Sequence, residues 1–238
     1  MSPAHDSSSN ESFRESFRQT VPPGYSGIRH GAIVLVFGLV VLAACAAALR
    51  SPILWWEWAM AIPVLLLWNL GEWQGHRYLH RPGTTALSKA LYTRHTLTHH
   101  RFFTHQDACL RDSRDLAIVF FPTFALPVIT LLAAVPAALV WLALSLNAGL
   151  IVLMTVVSLY LLFEIMHLGA HLPEGNWFSR LPLVAMMRRH HQAHHDPRLM
   201  MSKNMNFTLP WADQVIGTCE RGDGARTRSF DRDSTRRT

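Results

Sequence analysis

The sequence predicts an all-α polytopic membrane protein with four transmembrane helices and a histidine-rich cap on one side. Three observations carry this. Half of the 238 residues are apolar, only 16% are charged and the mean hydropathy is above zero, whereas about a quarter of the residues in a soluble domain are charged. The apolar residues fall in runs: Ala32–Leu49 has no charge in eighteen residues, Leu116–Leu144 none in twenty-nine, Ala148–Phe163 none in sixteen, and Pro52–Leu70 only Glu57. Finally, twelve of the fourteen histidines lie at or near the ends of those runs. About 20 helical residues span a bilayer, and the chain lacks the amphipathic helices that a soluble bundle would need to cover four apolar ones.

In chain order, residues 1–27 are rich in Ser, Asn, Gln and Gly with a Pro22–Pro23 pair, a composition expected of a disordered leader; Arg14 and Arg18, at i and i+4, are the only hint of a short interfacial helix there. Residues 28–219 form the folded unit. Ala32–Leu49 is the first span. It starts too late and runs too long for a signal peptide. A tight turn at Arg50–Pro52 leads to a second span near Ile53, where Trp55, Trp56 and Trp58 sit as interfacial aromatics do. That helix is expected to run beyond the hydrocarbon to His80, stopped by Pro82–Gly83. Leu116–Leu144 makes a third span, with kinks or a broken turn at its prolines. Ala148–His171 returns as the fourth, and residues 181–195 suit a surface helix. Residues 220–238 form a basic, disordered tail suited to anionic lipid.

Sidedness tests this map. With four spans, the segments 1–31, 71–115 and 172–238 share one side and hold 21 of the 22 Lys and Arg residues. The positive-inside tendency places them, with both termini, in the cytoplasm. The formal charge of +6 is the sum of this pattern, and no nucleic acid partner is expected. Cys45, Cys109 and Cys219 have no metal-ligand or redox spacing, so neither a disulfide nor sulfur ligation is expected.

Histidines four apart share a helix face. His76 with His80, His95 with His99, and His167 with His171 are such pairs, and His191, His194 and His195 face one way at i, i+3 and i+4. Four groups on one side of the membrane point to metal, for which imidazole is a good ligand as iron or zinc. Ten nitrogens exceed what one octahedral ion can use, so two ions are implied. The ligand set is His76, His80, His95, His99, His100, His167, His171, His191, His194 and His195. His105 and His190 are outer candidates. Glu72, Glu164, Asp107 and Asp196 stand where a carboxylate accepts the second ring N–H of a ligand histidine, or pairs with a local arginine instead.

These groups resemble the histidine boxes of the membrane fatty acid hydroxylase and sterol desaturase superfamily. Glu72-Trp73-Gln74-Gly75-His76-Arg77-Tyr78-Leu79-His80 looks like the first box and Arg94-His95-Thr96-Leu97-Thr98-His99-His100 like the second. His167 and His171 look like the intermediate pair. Met187–His195, followed by Asn204, Asn206, Thr208, Pro210, Asp213 and Gly217–Thr218, looks like the final box with its trailing segment. The second box departs from the family, with three residues rather than two before the His99–His100 pair. On an α-helix that turns His95 by about 100°, and His105 is then the substitute ligand.

The resemblance implies four spans, a cytoplasmic non-haem centre of two Fe ions (replaceable by Zn in purified protein), O2 as co-substrate and hydroxylation or desaturation of a lipid C–H bond, with His76, His80, His99, His100, His167, His171, His191, His194 and His195 as the catalytic set. No flavin, nicotinamide or iron–sulfur fingerprint appears, so a separate reductase, ferredoxin or cytochrome is expected to supply electrons. The Ala and Arg content suggests a bacterial inner membrane. The reading from another class is a histidine-rich membrane metal transporter or sensor, which would place polar groups within the spans.

Overall fold

The computed structural model describes residues 3–173 and 175–220, and all regular structure among them is helical. Helix α9 (Leu146–His171) is the axis against which α2 (Gly27–Ala48), α4 (Ala61–Leu79), α8 (Ala125–Ala143) and α10 (Pro182–His194) all pack. Glycines set the closest approaches. A Cβ at Gly149 would stand 2.6 Å from the carbonyl oxygen of Ala137 on α8, and one at Gly169 would stand 2.6 Å from Val184 on α10. Small residues at such crossings let helix backbones meet where no aqueous hydrophobic drive assists.

Helices α2, α8 and α9 are each long and apolar enough to cross a membrane. On α2 and α8, Leu35, Leu39, Val40, Leu131, Leu132 and Leu142 are exposed, an aliphatic surface too continuous for water and suited to lipid. The chain is an integral membrane protein.

The second expected span is built differently. It is split into α3 (Trp55–Ala59) and α4, with the break at Met60. Pro63 explains the break: it has no N–H to give the Ala59 carbonyl, and its ring crowds that oxygen. The second half of α4 is polar because it carries Glu72, Gln74, His76 and Arg77, so α4 is less apolar than the other three. In the third run, Pro122 separates a short α7 (Leu116–Val119) from α8, while Pro136 stays inside α8.

The disordered leader expected over residues 1–27 is corrected. Pro3–Thr20 form helix α1, which lies on the cap. Arg14 is fully buried and donates to the main-chain oxygens of Phe102 (2.9 Å), Asp107 (2.6 Å) and Cys109 (3.2 Å). Arg18 pairs with buried Asp115 through Nε–Oδ1 at 2.8 Å and Nη2–Oδ2 at 3.2 Å. Phe13 and Phe17 pack on Phe102, Phe103, Ile118 and Val119. The leader's composition is polar, but its arginines and phenylalanines find partners about ninety residues away. Of the tail expected over 220–238, residues 221–238 lie outside the described residues.

Candidate metal centre

The site forms where the surface-side ends of α4, α9 and α10 meet a polar arm folded across them. His76 lies in the last turn of α4 and His80 is its C-cap. His167 and His171 close α9, and His191 and His194 lie in the last turn of α10 with His195 as its C-cap. The arm comprises α5 (Ala86–Tyr92), a π-helical turn (Thr93–His99) and α6 (His100–Phe102).

The π turn settles the spacing anomaly. Its hydrogen bonds run i to i+5, and the His100 N–H accordingly reaches the His95 carbonyl. The extra residue is absorbed, and His95 returns to the face expected for a shorter box. Its Nε2 lies 2.9 Å from that of His76, 3.3 Å from that of His80 and 3.2 Å from that of His100. His105 is exposed and stands outside the cluster.

Two groups result. His76, His80, His95, His100 and His194 form one, and His99, His167, His171 and His191 the other, each with nitrogens within 4.8 Å of one another. His195 lies at their border: its Nε2 is 2.9 Å from that of His191 and 3.2 Å from that of His99, and its ring stacks on His100 with centroids 4.3 Å apart. All ten sequence-predicted rings are therefore brought together.

The Nδ1 side explains why the nitrogens point inward. His76 Nδ1 donates to the Met205 carbonyl (2.7 Å), His99 to Ile118 (3.3 Å), His171 to Ala108 (2.8 Å), His194 to Lys203 (2.8 Å) and His195 to Phe103 (2.5 Å). His80 Nδ1 donates to Thr96 Oγ1 (3.2 Å), whose own hydrogen goes to the Leu79 carbonyl. With the hydrogen on Nδ1, each of these six rings presents a bare lone pair at Nε2.

Burial keeps the rings neutral. Burial first, and then neighbouring imidazoles, hold His95, His99, His100, His191 and His194 below the usual histidine range. Burial lowers His80 to about 4 and His195 to about 3. Bare Nε2 atoms face each other at 3.0 Å between His80 and His194 and at 3.2 Å between His99 and His195. With no proton to share, such contacts are repulsive. Two nitrogens bound at about 2.1 Å to one ion stand about 3.0–3.4 Å apart for angles from square to tetrahedral. The donor set thus fits metal, and the all-imidazole chemistry suits iron or zinc. The Nδ1 atoms of His100, His167 and His191 are buried without a partner.

None of the four carboxylates accepts from a ligand histidine: Asp107 and Asp196 take the arginine pairing, and Glu72 and Glu164 take neither. Glu72 accepts from the Phe207 N–H (2.8 Å), the Thr208 N–H (3.0 Å) and the Thr208 hydroxyl (2.7 Å). Glu164 accepts from the Phe121 N–H and Tyr160 hydroxyl. Asp107 pairs with Arg14 and Arg111, and Asp196 with Arg198. Main-chain carbonyls take the role instead. A carbonyl exists at every residue, so nothing in the sequence marks these particular ones.

The trailing segment supplies two of them. Asn204 sits at φ 56°, a left-handed conformation that asparagine tolerates, and its amide donates to the His190 and Glu220 carbonyls. Asn206 and Asp213 bond reciprocally, the Asn206 N–H to Asp213 Oδ2 at 2.8 Å and the Asp213 N–H to Asn206 Oδ1 at 3.0 Å. His190 Nε2 also meets that Oδ2 at 3.0 Å, which places His190 outside the cluster. These side chains order the cap internally.

An apolar cavity of about 870 Å³ adjoins the cluster, with His76, His95 and His167 in its wall. The remaining lining comes from Met60 and one face of α4, Leu91 of α5, Phe121, the facing sides of α8 and α9, and Phe207. A family model described as "Fatty acid hydroxylase" matches residues 61–218, which include all ten histidines. No curated protein and no solved structure matches the chain.

Proposed function

The chain belongs to the fatty acid hydroxylase family, and on that footing we propose that it hydroxylates or desaturates a membrane-lipid C–H bond with O2 at a histidine-held di-iron centre. The membership makes it an oxidoreductase of lipids. The observation that carries the finer reading is the convergence of bare imidazole nitrogens at one end of an apolar cavity lined in part by α8 and α9, both long and apolar enough to cross a membrane.

His76, His80, His95, His100 and His194 would hold one ion and His99, His167, His171 and His191 the other, with His195 at their border. Bound iron would supply O2 activation and cleavage of an unactivated C–H bond, giving an alcohol or, with loss of a second hydrogen, an alkene. The chain does the rest. The six carbonyl and hydroxyl acceptors fix the ring tautomers and aim the Nε2 atoms before any ion arrives. Phe207 packs on His76, His167 and His191 with centroids at 4.4, 5.1 and 4.8 Å, which keeps water from that side of the cluster. The cavity wall holds the hydrocarbon beside His76, His95 and His167.

Electrons come from a separate reductase, ferredoxin or cytochrome reaching the cap. The cap and both termini face the cytoplasm, in a bacterial inner membrane. Zinc can take the place of iron in the overexpressed, purified protein. The test is lipid profiling of cells grown in air without the protein, with it, and with His194→Ala. The expected result is a lipid that gains one oxygen or loses two hydrogens only with the intact protein; identical profiles in all three would overturn the proposal.

A further inference from the structure

Seven glycines lie in helices; a Cβ on Gly31 would make only ordinary contact with Phe120, at 3.4 Å, and the other six show a contrast. A Cβ on Gly27, Gly38, Gly149 or Gly169 would meet a neighbour at 2.3–2.8 Å, so each sits at a close approach. At Gly71 and Gly75, one turn apart on α4, a Cβ would meet nothing within 4 Å. Neither has the positive φ that favours glycine. Glycine costs an α-helix stability relative to alanine, so these two residues weaken α4 with no crossing to justify them. Both line the cavity, and Gly75 immediately precedes His76.

The cavity shows what the bare backbone faces. It extends along α9 from His167 to Val152, fifteen residues or about 22 Å at 1.5 Å per residue, most of the hydrocarbon thickness of about 30 Å. Met60, Pro136 and Val152 line its far end, and their apolar side chains offer no partner to a polar group. Tyr78, exposed, stands at the histidine end. A lipid in this cavity therefore lies with its hydrocarbon toward Val152 and its polar end near Tyr78, and the segment beside His76 rests on Gly75 and Gly71.

We propose that Gly71 and Gly75 are specificity-determining residues: the bare α4 backbone at these positions makes the space in which the reacting segment of a long-chain lipid is seated. This rests on the lipid-substrate reading of the same cavity but needs no ion to be bound. Substitutions then separate space from folding. Alanine fits both positions and improves the helix. Leucine fills the volume reserved for lipid.

The test uses the full-length protein in phosphatidylcholine vesicles with a long-chain fatty acid carrying a photoreactive diazirine, cross-links being mapped by mass spectrometry and Tm measured in parallel. The wild type is expected to label on cavity-facing residues of α4 and α9. Gly71→Ala and Gly75→Ala should keep or raise Tm. Gly71→Leu and Gly75→Leu should keep Tm, since a Cβ there meets no protein atom within 4 Å, and lose about tenfold of the labelling, equivalent to about 1.4 kcal/mol of seating. No labelling of the wild type, undiminished labelling in both leucine variants, or a lower Tm in the alanine variants would each overturn the proposal. Lipid profiling of the same variants separates the two readings. Expected labelling without any O2-dependent product leaves the lipid seat standing and removes the oxygenase. Undiminished product in both leucine variants removes the seat and leaves the oxygenase.

Discussion

The Nε2 atoms of His80 and His194 stand 3.0 Å apart, and neither carries a hydrogen, because each ring has committed its Nδ1–H elsewhere, to Thr96 Oγ1 and to the Lys203 carbonyl. Two lone pairs at that distance call for a cation between them. His194→Ala is therefore expected to lower metal bound per chain, whereas His105→Ala, on an exposed ring outside the cluster, should leave it unchanged. Elemental analysis of the purified variants checks both.

Glu72 acts on the centre from a distance. It holds the Phe207 and Thr208 N–H groups, and the segment so fixed lends the carbonyls of Met205 and Lys203 to His76 and His194. Glu72→Gln should weaken metal retention by less than the about 10–100-fold that losing a direct partner of a metal ligand costs, since Glu72 acts through the carbonyl-bearing segment. Release to a chelator, timed against the wild type, measures it. Unchanged release would mean that the segment is held by other contacts.

The ion pair between Arg18 and Asp115 joins α1 to the start of the third apolar run, and both side chains are buried. Arg18→Ala strands a buried carboxylate, which costs about 3–5 kcal/mol. Arg18→Lys should recover part of that, since a lysine keeps the charge without the two-pronged geometry. Thermal unfolding in a fixed detergent ranks the three proteins. Equal midpoints would show that α1 is dispensable to the cap.

Metal-free protein should lose stability in acid. The unfolded chain's imidazoles titrate near about 6.5, whereas burial holds His80 to about 4 and His195 to about 3 in the folded state. Below about pH 6.5 the unfolded state thus binds more protons than the folded one, and stability falls as pH falls, until the folded rings also titrate. Above that pH these rings contribute no slope. Midpoints of the metal-free protein at pH 5 and pH 7.5 test the sign, the lower value being expected at pH 5.

Much of the site was legible in the sequence because its information is periodic. His76 with His80, His167 with His171, and His191 with His194 and His195 share faces by helix geometry alone, and apolar runs place them at helix ends. What was not legible depends on distant partners. The π turn at Thr93–His99 restores His95 through a hydrogen-bond register that spacing does not encode. The polar leader reads as disordered until Asp115 and the Phe102 carbonyl appear beside Arg18 and Arg14. Glu72, Glu164, Asp107 and Asp196 stood at suitable spacings yet face other donors, while anonymous carbonyls orient the rings. The break at Met60 was foreshadowed by Pro63, whose missing N–H would have served Ala59.

The most direct measurement is iron counting on anaerobically loaded protein, with Mössbauer spectroscopy to separate the sites. The two groups predict two irons per chain in the wild type, with one lost in His76→Ala/His80→Ala and the other lost in His171→Ala/His191→Ala. A single iron in the wild type, or two irons retained in either double variant, would contradict the account.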